Sequence, residues 1–229
     1  MENLSRAFHD IMQGIENAAR QAGRPNAVRL LAVSKTRTAA EVRALAALGQ
    51  TAFGENYVQE AGDKRVALAD LDLDLEWHLI GHLQSNKAKD AAEGFDWVQS
   101  VDRPRIVEAL ARHRPPSLPP LNVLIQVNVD DEQSKSGCRP DDVSALAAVI
   151  EARKSLRLRG LMAIPHPDPT SERRRNAFRS MKRLFDALAA QYPQVDTLSM
   201  GMSEDYALAI AEGATLVRVG SALFGPRGV

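Results

Sequence analysis

The sequence predicts an α/β protein of the (β/α)8 TIM-barrel class, a parallel sheet closed on itself inside a ring of helices. Three observations predict it. About eight short apolar runs alternate with helix-period stretches along the chain. The 229 residues fall in the size range of one such barrel. Glycine-serine pairs leave the seventh and eighth runs, where barrels often hold an anion. A doubly wound open sheet has the same alternation, which alone does not separate the two.

A helix comes first. Leu4, Phe8, Ile11, Met12 and Ile15 share one face and Gly23 offers a stop, so this helix is additional to the barrel. The first strand is the run Leu30-Leu31-Ala32-Val33-Ser34, closed by Lys35. Thr38 and Glu41 then form a capping box, Val42, Leu45 and Ala46 give the next helix its apolar face, and Gly49 ends it. Further strands are expected at 52–54, 77–80, 97–101, 122–129, 158–164, 197–200 and 215–219. Among the helices between them, Val143, Leu146, Ala147 and Ile150 share one face. Phe178, Met181, Phe185 and Leu188 share another, with Pro193 after that long helix. Gly94, Gly160 and Gly213 fall at plausible element ends. The proline-rich segment 115–120 is a stiff connector too short to separate domains, so residues 1–229 read as a single domain.

Composition excludes several classes. Twenty-nine basic and 29 acidic side chains cancel, which argues against a nucleic-acid or membrane-surface binder. Arg173-Arg174-Arg175 beside Glu172 reads as a solvated helix face. Cys138 is the only cysteine, so no internal disulfide forms and a reducing compartment is the natural setting. The N-terminus lacks a signal-type apolar core, and no stretch approaches the ~20 apolar residues of a membrane span. A cytoplasmic protein is expected.

Lys35 is the most informative residue. An ammonium group at the end of a buried strand is disfavoured by desolvation, which lowers its pKa and suits it to Schiff-base chemistry with an aldehyde. The alternative is a strand-end lysine whose tip reaches solvent. At the other end of the chain, Ser199-Met200-Gly201-Met202-Ser203 and Arg218-Val219-Gly220-Ser221 each offer glycine, a hydroxyl and a helix start. Ser203 is equally a plain N-cap. Arg218 interrupts the apolar run Leu216-Val217-Arg218-Val219. Buried there, it needs either a structural carboxylate or a ligand in the barrel mouth. An amine, an anion cup and an arginine are the parts that pyridoxal phosphate requires.

Weaker signals carry less. His78 and His82 are four apart, about 13 Å along a strand and too far to share a metal ion. Gly201-Met202-Ser203 starts like a hydrolase elbow, but Asp205 stands where its second glycine would be. No P-loop or dinucleotide fingerprint occurs.

The chain resembles the pyridoxal phosphate homeostasis proteins, with a barrel similar to that of alanine racemase. The carriers of the resemblance span most of the sequence. They are segments 31–36 (Leu-Ala-Val-Ser-Lys-Thr), 53–60 (Phe-Gly-Glu-Asn-Tyr-Val-Gln-Glu), 77–81 with 83–87, and 134–137 (Ser-Lys-Ser-Gly). Segments 159–162, 199–203 and 217–221 with Phe224-Gly225 complete the set. The resemblance implies a fold-type III barrel that holds pyridoxal 5'-phosphate as a Schiff base on Lys35. It places Ser203, Gly220 and Ser221 at the phosphate and Arg218 at the pyridine nitrogen, with Asn56 and Met202 as further pocket residues. His82 stands where many members have proline, and Ser221 where threonine is common. Lys135 is either a surface lysine or a transient acceptor for the cofactor.

Two functions follow from the resemblance. One is a binding protein without clear turnover, which buffers pyridoxal phosphate and delivers it to apo-enzymes, as a monomer or weak dimer with no metal. The other is an amino-acid racemase. Racemases of this type carry a second, β-rich domain supplying a catalytic tyrosine, whereas here the sequence stops at Val229. Tyr57, Tyr192 and Tyr206 are its only tyrosines, and none lies in an appended domain.

Overall fold

The structure, a computed structural model, describes residues 2–71, 73–130, 136–165 and 171–225. Eight parallel strands close in sequence order: β1 Arg29–Val33, β2 Ala52–Glu55, β3 Glu76–Leu79, β4 Trp97–Val101, β5 Leu121–Gln126, β6 Leu156–Met162, β7 Thr197–Ser199 and β8 Leu216–Val219. Closure rests on β8 pairing back onto β1, with Leu31 opposite Arg218 and Ala32 opposite Val219. The open-sheet alternative is therefore excluded.

Helices run between strands: α2 Ala39–Ala46, α3 Val58–Ala67, α4 Ala88–Gly94, α5 Pro104–His113, α6 Val143–Glu151, α7 Ser171–Gln191 and α8 Tyr206–Ala211. The short α9, Ser221–Phe224, follows β8. The additional helix α1, Glu2–Gln21, packs against α8 and α9. It buries Phe8, Ile11 and Ile15 but leaves Met12 40% exposed, at the edge of the face that the sequence assigned to it. The Thr38–Glu41 capping box forms as expected, each residue satisfying a backbone N–H of the other. No described helix is long and apolar enough to cross a membrane.

Alternation along each strand sorts the core into layers. Leu30, Ala32, Phe53, Val98, Leu161 and Val217 join the large cluster between sheet and helices. Inside the barrel lie two smaller clusters, Leu31–Ala52–Leu216 with Ile80, and Trp97–Leu124–Met162. Buried polar groups share the barrel interior, notably His78, Gln99, Ser199 and Arg218.

Two expectations are corrected. Strand β5 ends at Gln126 rather than running on to Val129, because Val127 leaves the ladder for an isolated bridge with Cys138. Gly160 is not at an element end but within β6, at a register shift against β5. A lone glycine inside a strand marks a bulge or a close backbone approach. Here it marks both: φ is +144°, and a Cβ would stand 1.9 Å from the Thr197 carbonyl oxygen.

At the N-terminal end of the barrel, Glu76 accepts from Arg29 Nη2 at 2.7 Å and His78 Nε2 at 2.8 Å. Burial works to raise its pKa, but these partners outweigh it and bring the carboxyl from 4.5 to about 2. A carboxyl lowered on folding contributes stability that is complete above its ordinary pKa and is lost as the medium acidifies toward the folded value. Thermal melts across that acid window are expected to show Glu76→Gln losing about 2 kcal/mol less than the parent. Parallel pH profiles for the two proteins would contradict the assignment. Burial, with Asp142 and Asp102 nearby, pushes the Cys138 thiol up to about 12. Iodoacetamide in mildly alkaline buffer is expected to alkylate it only after unfolding, as mass spectrometry would report.

Candidate functional site

The C-terminal end of the barrel opens into a cavity of about 630 Å3. Lys35, Asn56, Met202, Ser203, Arg218, Gly220 and Ser221 all line it, so both ends of the chain meet at one mouth. Lys135 lies outside the described residues.

Lys35 differs from its expected setting. Strand β1 stops at Val33, and Lys35 occupies a tight turn, half-buried, in which the Arg37 N–H donates to the Ser34 carbonyl at 3.0 Å. Thr36 follows with φ +64°, a left-handed conformation that a β-branched residue rarely adopts. What holds it is a buried polar cluster. The Thr36 N–H donates to Glu60 Oε1 at 2.5 Å, and the Ser34 hydroxyl donates to Glu55 Oε1 at 2.6 Å. Lys64, only 5% exposed, sits among them. Its Nζ donates to the Ser34 carbonyl at 2.6 Å and to Glu55 and Glu60 at 2.7 Å each. Three donors meet three acceptors, and Ser34 and Thr36 on either side of Lys35 are both gripped. Burial raises the Glu55 pKa, with the Lys64 and Ser34 hydrogen bonds opposing it.

Arg218 is 3% exposed, yet no carboxylate hydrogen-bonds to it among the described residues. Its Nη1 donates to the Ser199 carbonyl at 2.9 Å and to the Ser199 hydroxyl at 2.7 Å, and its Nη2 donates to the Ala163 carbonyl at 2.8 Å. Burial lowers its pKa to about 10, partly offset by Asp205, so it stays charged at neutral pH. A buried guanidinium held by neutral acceptors and facing a cavity fits a ligand acceptor there. The structural-carboxylate alternative fails.

The two glycine-serine loops converge. The Ser221 hydroxyl donates to Ser203 Oγ at 3.2 Å, and the Ala222 N–H approaches that oxygen at 3.5 Å. The Met202 N–H is taken by Asp205 at 2.7 Å, so that group is not offered to an anion. Close approach of two other loops depends on Gly81, where a Cβ would stand 2.2 Å from the Asn56 carbonyl oxygen. An amine, paired hydroxyls and a guanidinium lining one cavity are groups that could hold pyridoxal phosphate.

Other residues were not singled out by sequence. Arg37 and Gln126 line the cavity, and Arg37 Nη2 donates to the Gly225 carbonyl at 2.5 Å. Arg174 is a correction: its side chain is 18% exposed, lines the mouth and lies 3.6 Å from Asp205, so the triple-arginine segment is not wholly a solvated face. His78 is buried in the barrel, while the His82 side chain is 47% exposed at the mouth. His82 Nδ1 faces both Ser136 Oγ at 3.2 Å and Asp102 at 4.0 Å. Two contacts on one nitrogen cannot form the relay of a Ser-His-Asp triad. Among the described residues no group of three His, Cys, Asp or Glu side chains could hold a metal ion.

A closed barrel whose mouth gathers these groups falls in the class of the alanine racemase N-terminal domain, and that family's model matches residues 10–228. The relatives narrow the class. A pyridoxal phosphate homeostasis protein of Pseudomonas aeruginosa is 51% identical over 228 residues, covering 99% of this chain and 97% of the relative. Among solved structures, PipY of Synechococcus elongatus, with PLP bound, is 40% identical at a TM-score of 0.79, covering 93% of this chain and 99% of its own. A crystal structure from Bifidobacterium adolescentis aligns at a TM-score of 0.89 and 34% identity over 97% of this chain and 95% of its own. The chain belongs to the pyridoxal phosphate homeostasis protein family.

Proposed function

We propose that this protein binds pyridoxal 5'-phosphate at the barrel mouth as a Schiff base on Lys35, and serves vitamin B6 homeostasis in the cytoplasm by buffering the cofactor and delivering it to apo-enzymes. The observation that carries the proposal is the convergence of Lys35, Arg218, Ser203 and Ser221 on one cavity. When bound, the cofactor would supply a reactive aldehyde, and Lys35 would be the amine that holds it. Ser203 and Ser221 donate hydroxyls to the phosphate from loops that also carry Gly220, whose missing side chain lets β8 pass close to Val33. Arg218 offers its charged guanidinium to the ring nitrogen. A group that stays protonated there disfavours a proton on that nitrogen, so the site weakens carbanion stabilisation and suits retention better than turnover.

The test is borohydride reduction of the protein mixed with pyridoxal phosphate, followed by peptide mass spectrometry. A reduced cofactor adduct on Lys35 is expected. No adduct, or one confined to other lysines, would refute the proposal.

A further inference from the structure

A line of hydrogen bonds runs through the barrel interior beneath Arg218, and its direction is forced at each step. Arg218 has only donors, so Ser199 Oγ accepts from Nη1 at 2.7 Å. A hydroxyl can accept twice, so its proton is placed from the other end. The Glu76 carboxylate only accepts and takes the Nε2 proton of His78, whose burial keeps it neutral, at 2.8 Å. That leaves Nδ1 bare for the Gln99 amide nitrogen at 2.9 Å and turns Gln99 Oε1 to the Ser199 proton, also at 2.7 Å. Ser199, Gln99 and His78 are fully buried, and His78 is further fixed by stacking on Trp97 at 5.1 Å between centroids. Reversing any one member would set two donors or two acceptors face to face with no water to relieve them.

We infer that Gln99 is a positioning residue for cofactor binding: its amide, oriented by His78 and Glu76, holds the Ser199 hydroxyl as an acceptor toward Arg218 and so sets where the guanidinium meets the ring nitrogen. The inference rests on the proposed cofactor site. Losing the Gln99 acceptor frees the Ser199 hydroxyl to rotate, and Arg218 loses a fixed partner. Glutamate at the same place keeps an acceptor for Ser199, so it preserves the upper half of the line whatever His78 then does.

The test titrates purified protein with pyridoxal phosphate and with the deaza analogue in which carbon replaces the ring nitrogen. Gln99→Leu is expected to weaken pyridoxal phosphate binding about tenfold and the analogue less than about twofold, while Gln99→Glu stays within about threefold of the parent. Equal losses for both ligands, no loss for either, or a glutamate variant as poor as leucine would overturn the inference. Nitrogen NMR of the cofactor-free parent gives an independent reading. A bare His78 Nδ1 with a protonated Nε2 supports the line, and the opposite tautomer overturns it even if Gln99→Leu fails to fold. A parent that takes up no pyridoxal phosphate would refute the cofactor site itself, and the histidine tautomer would still decide the direction of the line.

Discussion

Lys35→Ala is expected to abolish the reducible adduct and most of the heat stability that the cofactor confers. A ligand that binds only the folded chain, present at a hundred times its dissociation constant, adds about 2.7 kcal/mol, or about 5–10 °C for a chain of this size. The variant has no amine to form the covalent bond, and its turn is still held from both sides by Glu60 and Lys64. Its melting temperature without cofactor should therefore stay close to that of the parent. Differential scanning with and without pyridoxal phosphate measures both quantities. A variant that gained the full increment would show that Lys35 is not the attachment point.

Lys64→Met is expected to be among the most damaging single changes outside the apolar core. It removes the ammonium group that bridges Glu55, fully buried, and Glu60, while leaving both carboxylates in place. Breaking one side of a buried ionic cluster costs about 3–5 kcal/mol, or about 6–20 °C in melting temperature here. Among the described residues Glu55 Oε2 already lacks a hydrogen-bond partner, so little there is available to absorb the stranded charge. Adding Glu55→Gln to the methionine variant is expected to recover part of the loss. Denaturant melts of the parent, single and double variants decide it. Equal stability of parent and Lys64→Met would show that the cluster contributes nothing net.

The barrel was legible because its signals are local and periodic. Short strand-forming runs, capping pairs and helix-ending glycines each act over a few neighbours, and the closed order β1 to β8 follows them. Of the seven candidates that line the cavity, Asn56 and Met202 came only from the resemblance. Lys35, Ser203, Arg218, Gly220 and Ser221 were also legible, because a lysine, glycines and hydroxyls at strand exits and an arginine inside a strand are unusual enough to notice. Lys64 was not. It sits on α3 among Asp63, Arg65 and Gln59, where its neighbours read as an ordinary wet face. Only the folding of α3 back over the β1 exit buries it. Gln99 was hidden in the same way, beside Ser100 in an otherwise apolar strand, with partners that lie on β3 and β7. Arg174 escaped because its two arginine neighbours suggested a single shared environment, whereas a helix turns each of them about 100° from the last. Lys35 was found for a reason the structure revises: it stands in a gripped, strained turn rather than in the strand itself.

The bare backbone at Gly160 makes the β6–β7 seam vulnerable to the smallest possible insult. Those two strands continue upward to Ala163 and Ser199, whose carbonyls clasp the guanidinium of Arg218. One methyl group at position 160 would drive a wedge between them at the base, and the misalignment would travel three residues to the ligand-facing rim. A lesion nowhere near the mouth would then masquerade as a binding defect.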